Sequence, residues 1–280
     1  TIISFYITVF KIAIISIFMD ENSNIIWYYS YMKIYEKELK KIIKKEEAFI
    51  NDKASFSAML KTAQFNEKIF EKAPAALIAS INEAFCQGFQ FIVEKQSGVV
   101  KQTTKNSKYD LTGKHQLKYL DKNSGRGRLL KSGLTFIEGA GLGLLGIGLP
   151  DIPVFCLLLL RGVYEQAANY GFSCASRQEK YYALMLIEAA LSDNKKSVPL
   201  NRQIDEFAAA PPKKMLRIFT NQQIKNTSAA LTNALLIAKF IQGLPLVGAV
   251  GGITNLSVYN KVIEFASIKY KKRFLINKLL

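Results

Sequence analysis

The chain has 280 residues, 49% of them apolar and 21% charged, and its 38 basic against 22 acidic side chains leave a net charge of +16. That length accommodates one or two domains with a sizeable core, and 7 Pro with 17 Gly exclude a collagen-like or Pro/Gly-rich disordered chain. Three cysteines, none in a Cys-x-x-Cys pair, exclude a disulfide-stapled scaffold, and the single histidine, His115, leaves too few ligands for the common zinc sites. No metal or cofactor is expected, and the positive balance favours anionic partners.

Residues 2–18 form an apolar run broken only by Lys11. As a helix it would reach about 25 Å, short of the roughly 30 Å hydrocarbon core of a bilayer. No basic stretch precedes it and no Ala-x-Ala site follows, so it is a poor signal peptide. Three readings stand: translated upstream sequence ahead of a start at Met19, which is preferred, a membrane anchor, or a buried helix. The chain divides accordingly into 1–18 and a helical domain over 19–280.

From Trp27 to about Phe49, Ile34, Leu39, Ile42, Ile43 and Phe49 recur near a 3.6-residue period among Lys and Glu, which predicts a helix with a solvated charged face. A second helix is expected over 55–72. Pro74 suits the first turn of a third, running to about Glu94 with Phe85, Phe89 and Ile92 inward. Residues 96–131 carry nine bases against two acids and few large apolar side chains. Lys101, Lys105 and Lys108, then Lys114, Lys118 and Lys122, would each form a stripe on a helix. The segment reads as a solvated connector, or as a patch facing anionic lipid or polyanion.

Residues 133–160 hold only Glu138 and Asp151 as charges. Two arms, about 129–147 and 152–171, flank Gly148, Leu149 and Pro150 and predict an apolar helical hairpin. Asp151 serves as an N-cap and Gly171 as a C-cap. The hairpin is short for two full spans, so core burial or interfacial insertion is the expectation. Ser176 and Glu179 form a capping box for a helix ending near Ser192. A basic loop punctuated by Pro199 follows. Two long helices, about 213–242 and 247–275, meet at a second Gly/Pro break, and 261–280 forms a basic tail of six bases against one acid. No period-two alternation is sustained, so the fold class is all-α, a single helical domain.

Gly141, Gly143 and Gly146 match a dinucleotide-binding spacing, but no strand precedes them, so they read as close-packing residues. Glu138, Asp151, Arg161 and Glu165 are the charges in or beside the apolar hairpin. They are either a cap and an i,i+4 pair or a gathered buried polar site. Lys271, Lys272 and Arg273 join the connector lysines as candidate contacts to an anionic surface. No catalytic residue is evident.

Gly139-Ala140-Gly141-Leu142-Gly143, Leu149-Pro150-Asp151-Ile152-Pro153, Leu160-Arg161 with Glu165, and Tyr170-Gly171-Phe172 together resemble the EcsC family. So do 245–252 with Asn255 and the Arg-Phe-Leu ending at 273–275. The resemblance covers about 24–280. The family is named for a gene beside those of an ABC-type transporter in Gram-positive bacteria, and the resemblance transfers no catalytic residue.

The expectation is a bacterial, non-catalytic accessory protein at the cytoplasmic face of the membrane. It would be peripheral, or integral if 2–18 or 133–160 insert, with anionic lipid as partner and an ABC transporter or other membrane protein as a further one. The alternatives are a hydrolase-like enzyme around a buried acid (Glu138, Asp151 or Glu188) and a polyanion-binding protein. Specific nucleic-acid recognition is not expected, because aromatics are not interleaved with the basic stretches.

Overall fold

A computed structural model describes residues 22–51, 75–95, 117–118, 120–121, 151–211, 216–241 and 252–280, and among these described residues the apolar periodicity becomes seven long helices and no strand. They are α1 (Asn22–Asn51), α2 (Ala75–Lys95), α3 (Asp151–Asn169), α4 (Arg177–Leu191), α5 (Asn194–Ala209), α6 (Leu216–Ile241) and α7 (Gly252–Leu279). Residues 1–21, the proposed helix at 55–72, the first arm of the hairpin and the 242–251 break lie outside the described residues.

Local chemistry sets the boundaries. Ser176 caps α4 by accepting from the Glu179 amide at 3.1 Å. α3 ends in a Schellman arrangement: Phe172 N donates to Ala167 O at 2.9 Å and Gly171 N to Ala168 O at 3.0 Å. Gly171 has φ +83°, a left-handed conformation that costs glycine little. The expected loop around Pro199 is instead α5. Asp193 caps it through the Lys196 amide at 2.9 Å, and Pro199, early in the helix, removes a single backbone donor.

α7 is central, packing against α1, α3, α4 and α6, while α2 lies against α3 and α6. Its buried residues Val258, Val262, Ile263, Phe265, Ala266, Ile268, Tyr270, Leu275 and Leu279 recur on every side of the helix rather than along one stripe. A helix apolar all round belongs in a core. α3 approaches it closely at Gly162, where an added Cβ would stand 2.6 Å from Ile263 Cδ1 and 2.7 Å from the Tyr259 hydroxyl. The second arm of the hairpin is therefore core, with Cys156, Leu159, Leu160 and Val163 fully buried.

Candidate functional site: an interior ionic hub and an outward lysine face

The block Lys269-Tyr270-Lys271-Lys272-Arg273 sits on the buried stretch of α7. Lys269 is 1% exposed, and its three ammonium protons meet three acceptors. These are Glu46 Oε1 at 2.6 Å, Asn201 Oδ1 at 2.8 Å and Asp205 Oδ1 at 2.5 Å. Lys272, one turn on, takes the other oxygens: Glu46 Oε2 at 2.6 Å and Asp205 Oδ2 at 2.8 Å. Two lysines and two carboxylates thus close a neutral ring that joins α1, α5 and α7. Burial disfavours the charge on Lys272, but Glu46 and Asp205 more than offset it and raise its pKa.

Lys271 points elsewhere. Its Nζ donates to both Asp121 oxygens, at 2.8 and 2.9 Å, and to Glu38 Oε2 at 3.2 Å. Glu38 accepts a further bond from Lys41 at 2.6 Å. Burial opposes the charged form of Glu38, yet the bonds from Lys41 and Lys271 and their charges hold its carboxyl below the usual range. Arg273 Nη1 donates to both Glu179 oxygens, at 3.0 and 2.9 Å, and its guanidinium lies 4.3 Å from the Phe172 ring centre and 5.0 Å from that of Tyr182. The capping-box carboxylate thus reaches α7 and ties α4 to it. Four of five consecutive residues of α7 thereby hold α1, α4, α5 and the turn at 117–121.

The placement of the sequence-predicted residues follows from this. Lys271, Lys272 and Arg273, expected on a solvated basic tail, are directed inward and matched by Asp121, Glu38, Glu46, Asp205 and Glu179. Arg161 and Glu165 form an i,i+4 pair at 3.0 Å on the half-exposed side of α3. Asp151 opens α3, about 15 Å along the axis from Arg161. These three are not gathered into one site. Glu138, His115, Lys101, Lys105, Lys108, Lys114 and Lys122 lie outside the described residues. Lys118 is exposed on the helical turn whose Leu117 and Leu120 enter the core.

The same pairing sorts the charges of α1. Glu38 and Glu46 face inward, whereas Lys33, Lys37, Lys40, Lys41, Lys44 and Lys45 are exposed. Spacings of four, seven and eleven residues from Lys33 to Lys37, Lys40 and Lys44 put these lysines on one face. With Glu36 and Lys41, they line a shallow hollow of about 320 Å³. A second hollow of about 530 Å³, between α2 and the start of α3, is lined by Glu83, Gln87, Gly88, Phe91 and Pro153 among others.

Glu188 on α4 is the remaining buried acid of interest. It accepts a short hydrogen bond from Gln223 Nε2 on α6, which also reaches Thr227 Oγ1 at 3.3 Å; Thr227 donates to Leu184 O at 3.1 Å. Burial raises its pKa, opposed by the Gln223 bond and the charge of Lys196. Neither hollow reaches it. Among the described residues, no group of three His, Cys, Asp or Glu is suited to a metal ion. One described helix, over Ala75–Glu94, is long and apolar enough to cross a membrane.

The described elements define an all-helical bundle built on a buried basic helix, with an outward lysine face on α1. A family model matches residues 36–275, and the chain belongs to the EcsC protein family. No match was found among curated proteins or solved structures.

Proposed function

We propose that this protein is a non-catalytic accessory protein that docks reversibly on the anionic cytoplasmic surface of a membrane, in support of ABC-type transport. The observation that carries the reading is the outward lysine face of α1, where exposed Lys33, Lys37, Lys40 and Lys44 outnumber Glu36, the acid that lines it with them, while Glu38 and Glu46 face inward. Each base close to an anionic leaflet contributes about 1 kcal/mol, so a face of four or five gives reversible attachment. The neutral ring of Glu46, Asp205, Lys269 and Lys272 supports the non-catalytic half, because carboxylates held between two ammonium groups are poor general bases. The transport link is supported only by resemblance to a family named for a gene beside those of an ABC-type transporter.

Flotation of the purified protein with vesicles tests this. Binding to phosphatidylglycerol-containing vesicles, absent on phosphatidylcholine alone and falling as salt rises, is the expected result. Failure to bind anionic vesicles at low salt overturns the reading. Binding that resists high salt would assign attachment to apolar insertion rather than to the lysine face.

A further inference from the structure

We infer that the turn at 117–121 and the lysine face of α1 form one lipid-facing surface, and that Lys271 is the positioning residue that aligns them. The inference rests on the membrane reading above and specifies how its docking surface is built. The turn is anchored from both sides. Leu117 and Leu120 are buried, and Asn169 Nδ2 donates to Leu120 O at 2.9 Å. Asp121 takes two bonds from Lys271, which also bonds Glu38. Glu38 in turn bonds Lys41, a member of the exposed α1 face. Three ion pairs in series therefore run from Lys41 on α1, through part-buried Glu38 and Lys271, to Asp121 on the turn that carries exposed Lys118. Asp121 and Lys118 are three residues apart, the spacing of neighbours on a helical surface.

The surface suits phosphate headgroups of a bilayer better than a nucleic acid. Its described bases are lysines, point charges without the planar fork that reads bases. Among the described side chains of α1, from Met32 onward, no exposed position carries an aromatic ring on which a base could stack. A planar array of anionic headgroups meets a broad lysine face without demanding either.

Asp121 makes the inference testable because charge and geometry predict opposite signs. Asp121→Asn raises the net charge by one, so simple attraction to phosphatidylglycerol vesicles would strengthen. Alignment by Lys271 predicts about fivefold weaker binding, the loss of one base from the leaflet. Asp121→Glu, which keeps the ion pair, should bind like the unchanged protein. Lys118→Gln should weaken the unchanged protein about fivefold and have little further effect in Asp121→Asn. Thermal melts of each variant identify any loss of fold. Equal or tighter binding by a folded Asp121→Asn, or full additivity with Lys118→Gln, overturns the inference while leaving the membrane reading intact. Absence of vesicle binding by the unchanged protein, or binding to an oligonucleotide instead, overturns both.

Discussion

Lys269 Nζ lies 2.6 Å from Glu46 Oε1, an ion pair closed to solvent between residues 223 positions apart. Such a pair contributes little net stability over a well-packed apolar substitute, but removing one partner strands the other. Lys269→Met should therefore destabilise the fold by about 3–5 kcal/mol, since Lys272 alone is left between Glu46 and Asp205. Urea unfolding with an unchanged m-value checks it; a loss below about 1 kcal/mol would show that the ring is dispensable.

Glu188 predicts a pH effect of opposite sense to Glu38. Its folded pKa is raised, chiefly by burial, so its contribution is fully present below the unfolded value and is lost as pH rises through the folded one. Glu188→Gln keeps a partner for Gln223 and removes the buried charge, so its melting temperature should rise at pH 7 and change less at pH 4. For Glu38, held below the usual range, the contribution is present above the unfolded value and lost as pH falls through the folded one. Melting curves of Glu38→Gln against the unchanged protein should converge in acid. Parallel curves for both variants across this range would contradict the assignments.

Arg273 Nη1 donates to both Glu179 oxygens, and its guanidinium lies close to the rings of Phe172 and Tyr182. Arg273→Lys keeps the charge but loses the planar contact, and should cost about 1–2 kcal/mol. Denaturant midpoints measure it. A neutral outcome would mean that charge alone holds α4 to α7.

At Gly162 the close approach of α3 to α7 leaves no room for a branched side chain. Gly162→Leu should destabilise by at least the 1–3 kcal/mol typical of overpacking, despite leucine's better helix propensity. Calorimetry would contradict this by finding an unchanged melting temperature.

Much of the fold was legible because its signals are local. The Ser176 cap, the Gly171 stop and the apolar period of α2 each depend on residues within a turn or two, and each is found where the sequence puts it. α5 was missed because Pro199 reads as a breaker. Here it removes one rung of the ladder, the amide that would have bonded Lys195 O, without ending the helix, and the Asp193 cap was the better signal. The hub was not legible as a hub, because the partners of Lys269, Lys271, Lys272 and Arg273 lie 64 to 233 residues away. A charge count over 261–280 sums bases without seeing those acids. The available clue was the company they keep: Ile268, Tyr270, Phe274 and Leu275 interleave the bases on all sides, unlike a solvated tail.

Amine acetylation of the free protein and of its mixture with phosphatidylglycerol-containing vesicles, mapped lysine by lysine, tests the central claim most directly. That claim is that α7's bases are interior while α1's form the docking face. Lys33, Lys37, Lys40 and Lys44 should react readily in the free protein and become protected on vesicles. Lys269, Lys271 and Lys272 should react slowly in both. Reaction of Lys269 and Lys272 at the rate of the α1 lysines, or labelling of α1 that vesicles leave unchanged, would contradict the account.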